Sequence, residues 1–147
     1  MTKSDALSAL VARSEILELT ARYALYVDTG KLDALLDLFT DDAVFDESGV
    51  GLAKSEGRAA LESYFGYLFN IIDGALHLTS NHVLHDLASD HARGTCSSIV
   101  VGIVGSTRTQ VACRYDDDYV RTEDGWRFSS RVVSSYLPID LAGLVEE

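Results

Sequence analysis

Only two cysteines and one proline occur in the 147 residues, bases are outnumbered, and no apolar run approaches the ~18 residues of a membrane-spanning helix. Each shortage excludes something. Cys96 and Cys113 have no metal-ligand spacing, so neither a disulfide framework nor a zinc site is expected and both read as reduced, packed thiols. Twelve Lys and Arg against 23 Asp and Glu leave a formal charge of -11, which repels phosphate backbones and anionic membranes and favours a small ligand over nucleic acid. The opening "MTKSDALSAL" lacks the apolar core of a signal peptide, so a cytoplasmic location is expected. Motifs of the GxSxG, Walker and dinucleotide-glycine types are missing, leaving general acid–base chemistry without a cofactor as the chemical expectation.

What remains is an ordinary foldable chain, 47% hydrophobic and 24% charged, of a size suited to one domain over residues 1–147. From Ser4 to Val27, Leu7, Leu10, Val11, Ile16, Leu19, Tyr23 and Val27 recur at three- and four-residue steps, predicting a helix with one buried face. "DTGKLDALLDLF" restarts as a short helix capped by Asp28 or Thr29, burying Leu32, Leu35, Leu36 and Phe39. "DDAVFDESG" reads as a short strand and turn, and "EGRAALESYFGYLFNIIDG" as a third helix. Beyond residue 74, segments 75–86, 95–104, 109–121 and 126–137 are rich in Val, Ile, Thr and Tyr and are parted by turn residues, which predicts an antiparallel meander. Pro138 falls near the end of its last strand, where a missing N–H costs little. Helices first and strands afterwards predict an α+β domain with helices covering one face of a bent sheet.

Asp28 is the conspicuous residue of the first half, because a carboxylate in the last turn of a helix meets the negative end of the macrodipole. Either a local turn uses its oxygens or a distant partner does. Three of the four histidines lie in "LHLTSNHVLHD", where strict alternation puts His77, Thr79, Asn81 and His85 on one face and His82 on the other. That parity also separates His82 from His85, so no metal site is expected. An Asp beside His77 orients the imidazole and makes it a stronger general base. Taken alone, Asp28 is equally a turn cap, His77 a core-edge histidine and Tyr23 a core aromatic. The run Asp116–Asp118 suits an exposed segment, although Asp117 shares a side with Tyr115 and Tyr119.

"ARYALYVDTGKLDALLDLFTDDAVFD", "GRAALESYF", "HLTSNHVL" and "DDDYVRTEDGWRFSSRVV" together resemble the SnoaL-like branch of the nuclear transport factor 2-like superfamily over nearly the whole chain. Within it the pattern is nearest to scytalone dehydratase, bile acid dehydratase and hexachlorocyclohexane dehydrochlorinase. The resemblance implies a cone-shaped, strongly curved, mostly antiparallel sheet (an α+β barrel) around N-terminal helices. It also implies an Asp–His dyad at Asp28 and His77, a pocket tyrosine at Tyr23 and an arginine at Arg131. The later-strand histidine of scytalone dehydratase has no counterpart, and the second pocket acid of the bile acid enzyme would fall at Ile99–Val101, where no acid occurs. Strict alternation sets Arg131 opposite Trp126 and Phe128, so a bulge or an outward tryptophan is required.

The expected activity is a cofactor-independent lyase acting on a hydrophobic cyclic compound. His77 takes a proton, Tyr23 donates a hydrogen bond or proton, and Arg131 stabilises negative charge. The expected lining is Leu19, Phe39, Phe65, Phe69, Asn81, Ile99, Val111 and Tyr115. An isomerase or cyclase with the same base, and a non-catalytic binding domain or oxygenase small subunit, are the alternatives. The outer sheet face and the tail "YLPIDLAGLVEE" suggest a homo-oligomer, dimer or trimer.

Overall fold

A computed structural model describes residues 1–137, so Pro138 and the rest of the tail lie outside the described residues. Helix α1 spans Lys3–Asp28 and begins in a reciprocal capping box: the Asp5 N–H donates to the Thr2 hydroxyl, and the Thr2 N–H donates to the Asp5 carboxylate. Its buried stripe is Ala12, Ile16, Leu19, Thr20, Tyr23 and Ala24. Leu7, Leu10 and Val11, expected on that stripe, are 62%, 64% and 46% exposed. Periodicity marks a face but not what covers it, and burial on this ~39 Å helix starts only at Ala12.

Helix α2, Leu32–Leu36, has Lys31 at its N-cap and no side-chain cap bond, which corrects the capping role expected of Asp28 or Thr29. The Thr29 hydroxyl donates backwards to the Leu25 carbonyl at 2.6 Å. Leu35, Leu36 and Phe39 are buried as expected, Leu32 partly so. Strand β1 is Phe39–Gly49, β2 the short Lys54–Glu56, and α3 runs Arg58–Ile71. Four long strands follow: β3 Ile72–Leu87, β4 His91–Val104, β5 Thr107–Thr122 and β6 Gly125–Ser135. The sheet order is β2-β1-β6-β5-β4-β3, every neighbour antiparallel except β1 with β6. The curved sheet stays open and, with the helices, forms a cone-like α+β fold.

Two irregularities decide which side chains reach the interior. In β3 the pairing steps from Ser80↔Ser97 to Val83↔Thr95, so two residues oppose one, and Asn81 sits there at φ 55. Asparagine tolerates that left-handed backbone better than most residues. The extra residue inverts the parity: His82 and Leu84 now follow His77 and Thr79 inward, which corrects the grouping of Asn81 and His85 with His77. In β6 the pairing steps from Asp118↔Ser130 to Tyr119↔Phe128, leaving Ser129 unopposed. This is the bulge that Arg131 required, and Phe128 and Arg131 are both 0% exposed on one face.

At Gly94 in β4 an added Cβ would lie 2.9 Å from both Leu84 Cδ2 and the Val83 carbonyl oxygen, and 3.5 Å from Tyr119 Cε2. The missing side chain there lets Leu84 and Tyr119 close the core.

Candidate active site

Asp28 is the final residue of α1, and its compensation comes from 49 residues away. Its carboxylate accepts twice from His77: Oδ2 from the backbone N–H at 2.9 Å and Oδ1 from ring Nδ1 at 2.6 Å. The two side chains are 8% (His77) and 16% (Asp28) exposed. An ionised carboxylate can only accept, so Nδ1 carries the ring hydrogen and Nε2 presents a lone pair. The contact thus holds the imidazole, on a strand rather than a loop, in the tautomer whose neutral form can take a proton at Nε2.

Tyr23, five residues earlier on α1, is 3% exposed and meets the His77 ring edge-on, centroids 6.1 Å apart at 89°. Its ring also packs against Phe39, Phe45, Phe65, Tyr115 and Phe128 at 6.0–6.5 Å. Burial, reinforced by the charge of Glu47, pushes its phenol well above the usual tyrosine value. Tyr23 therefore keeps its proton, and is suited to donating a hydrogen bond rather than transferring the proton.

Arg131 lies deeper. Its guanidinium stacks 4.3 Å from the Tyr23 centroid, 4.1 Å from Tyr115 and 4.3 Å from Phe128. Nε and Nη2 each donate to Asp117 at 2.8 Å, a bidentate pair with both side chains 0% exposed. Asp117 also accepts from the Tyr119 hydroxyl at 2.8 Å, which lies 3.1 Å from His82 Nε2. The Arg131 charge is thus already matched from within. Of its three guanidinium nitrogens Nη1 alone has no partner among the described residues, which narrows the role expected of it.

Glu47 is a third acid of the site, half-buried, and it was not among the expected site residues. Ala43 and Phe45 on β1 are 0% exposed, and Glu47 continues their face. Counting two residues beyond Phe45 was the available signal. Its carboxylate accepts from the Tyr64 hydroxyl. Burial raises its pKa, and the hydrogen bond from Tyr64 and the charges of His77 and Arg131 only partly oppose this.

Of the expected lining, Leu19, Phe39, Phe65 and Tyr115 are buried in the core, and Val111 and Phe69 pack partly covered against it. Asn81 sits exposed at the β3 bulge, so it does not line the interior. Ile99 pairs with Leu78 on the outer face of the sheet, 38% exposed, and is likewise outside. Asp28, Val27 and Phe69 border a cleft of about 110 Å3, small beside the ~300 Å3 or more of a drug-sized pocket. Among the described residues no cluster of three or more His, Cys, Asp or Glu could hold a metal ion, and no helix is long and apolar enough to cross a membrane.

A cone of helices and curved sheet of this kind defines a nuclear transport factor 2-like protein, here with a carboxylate–imidazole contact between α1 and β3. Residues 8–132 match the SnoaL-like domain, and the chain belongs to that family. It is 25% identical over 140 residues to gamma-hexachlorocyclohexane dehydrochlorinase of Sphingobium indicum, covering 94% of this chain and 89% of that one. A Novosphingobium aromaticivorans protein, provisionally described as an aromatic ring hydroxylase, superposes with a TM-score of 0.86 at 31% identity, covering 92% of this chain and 98% of the other. A second protein of that organism, provisionally described as a scytalone dehydratase, superposes at 0.83 with 17% identity over 90% and 89%, a likeness of fold alone.

Proposed function

We propose that the protein is a cofactor-independent lyase of hydrophobic ring compounds, with His77 as base and Asp28 as its orienting partner. The single observation that carries this is the two-point Asp28–His77 contact, which leaves Nε2 as the basic nitrogen of a ring whose partner, Asp28, borders the cleft with Val27, Leu68 and Phe69. The SnoaL-like domain and the dehydrochlorinase relative support the coarser reading, a small-molecule lyase or isomerase. Nε2 removes a proton next to an activating carbonyl or similar group, the carbon–leaving-group bond breaks, and a double bond forms. Asp28 stabilises the resulting imidazolium, and the Tyr23 hydroxyl is a hydrogen-bond donor for developing negative charge. General-base help of this kind is worth roughly a hundred- to ten-thousandfold.

The test is incubation with a panel of hydroxylated and halogenated ring ketones, followed by mass spectrometry. Loss of water or hydrogen halide supports the lyase. A product of unchanged mass points to the isomerase alternative. No conversion by the wild type, with His77→Ala altering only thermal stability, overturns the proposal.

The small cleft and the hydroxylase-described neighbour favour one second reading, a binding domain or oxygenase subunit in which the Asp28–His77 contact is a structural latch. Self-association belongs to our proposal too. Leu76, Leu78, Ile99 and Ile103 lie 50%, 58%, 38% and 44% exposed on β3 and β4, an apolar surface suited to a second copy.

A further inference from the structure

We propose that Glu47, anchored by Tyr64, is the proton donor of this site, and that the group it serves is a hydroxyl leaving a carbonyl-activated ring, not a halide. The inference rests on the elimination reading and adds the acid that reading lacks.

Glu47 stands on β1 and His77 on β3, strands on opposite sides of the cone with β6, β5 and β4 between them. Tyr23 bridges the gap, edge-on to His77 and 6.2 Å from the Phe45 ring two residues before Glu47. Tyr64 packs on that same Phe45 at 6.0 Å, so its hydroxyl holds the carboxyl from a fixed platform. The neighbouring interior groups of the site are otherwise engaged. The Tyr23 phenol holds its proton too tightly, Arg131 is committed to Asp117, and His77 must begin as the unprotonated base. Burial makes Glu47 retain a proton more readily than an ordinary glutamate.

A leaving group needs such a donor only if its anion is a poor one. Chloride departs unaided, whereas hydroxide must be protonated as the carbon–oxygen bond breaks. In the step, the ring C–H proton goes to His77 Nε2, the C–H electrons become the new double bond, and the departing oxygen takes the Glu47 proton to leave as water. The imidazolium and carboxylate left behind are neutralised by passage of one proton from His77 to Glu47 through solvent, which restores both groups.

Glu47→Gln keeps the size and an oxygen to accept from Tyr64, and removes the acid. The probes are β-hydroxy- and β-chlorocyclohexanone, which give the same enone. The variant should lose a hundredfold or more of the enzymatic dehydration while chloride elimination stays within about threefold. Tyr64→Phe, which frees the carboxyl from its anchor, should weaken dehydration selectively in the same way. Equal loss on both probes, or loss on neither, overturns the proposal. His77→Gln should abolish both reactions; if it abolishes neither, the elimination reading fails, whatever Glu47 does. Independently of turnover, carbon-13 NMR should show the carboxyl that vanishes in Glu47→Gln titrating above the ordinary ~4.3, and a value at or below that overturns the assignment.

Discussion

Replacing Asp117 by Asn is the sharpest probe of how the interior is built. The substitution keeps the shape and an oxygen for Tyr119, but strips the counter-charge from a guanidinium that is 0% exposed and stacked on three aromatic rings. Removing one partner of a buried ion pair strands the other charge, at a cost of about 3–5 kcal/mol. For a chain of this size each kcal/mol lowers the melting temperature by roughly 2–4 °C, so the expected fall is about 6–20 °C. Urea titration at constant temperature gives the free energy directly, with the m-value as a check on two-state unfolding. Asp117→Leu combined with Arg131→Met removes both charges, and should recover most of the loss because no orphan charge remains. A cost under ~1 kcal/mol for Asp117→Asn would refute the reasoning, since it would mean that water or another anion reaches the Arg131 guanidinium.

Glu47 links stability to pH. Its folded pKa is raised above the unfolded ~4.3, so its stabilising contribution is complete below that value and lost as pH rises through the folded one. The stability of wild type relative to Glu47→Gln should therefore decline over that window in urea titrations at stepped pH, and a flat difference contradicts it. The same titration predicts an alkaline fall in dehydration rate as Glu47 ionises, a limb that chloride elimination should lack. Gly94→Ala puts a Cβ within 2.9 Å of a backbone carbonyl and of Leu84, an overpacking worth about 1–3 kcal/mol, readable as a lowered thermal midpoint. If the apolar outer face of β3 and β4 is covered by another copy, light scattering should give a mass that is a multiple of 16.0 kDa, and Leu78→Asp should reduce it to that value.

Helix and strand content was legible because hydrophobic period and turn chemistry are local. Tyr23, Ile16 and Leu19 on one helical face, and the meander after residue 74, follow from spacing alone. Leu7, Leu10 and Val11 show the limit, since their spacing is helical and yet they stand exposed among the described residues. Asp28 advertised itself as an acid where a helix disfavours one. Its partner lies 49 residues on; strand parity put His77 forward as a candidate, and the family resemblance narrowed the choice to it. The bulges mark a second limit. Ser129 was implied once Phe128 and Arg131 had to share a face, but nothing local forced an extra residue at Asn81, so the side assigned to His82 and His85 came out reversed. Glu47 was readable from the alternation of Ala43 and Phe45, and was passed over because strand and turn were read as one short unit.

The central claim is that His77 Nε2 takes a proton from carbon because Asp28 holds the ring. The most direct measurement is proton NMR of a cyclic ketone in heavy water, which reports exchange next to the carbonyl whether or not a leaving group is present. Wild type should catalyse that exchange, His77→Gln should lose it by roughly a hundred- to ten-thousandfold, and Asp28→Asn should fall between them. Exchange by His77→Gln at the wild-type rate would contradict the account.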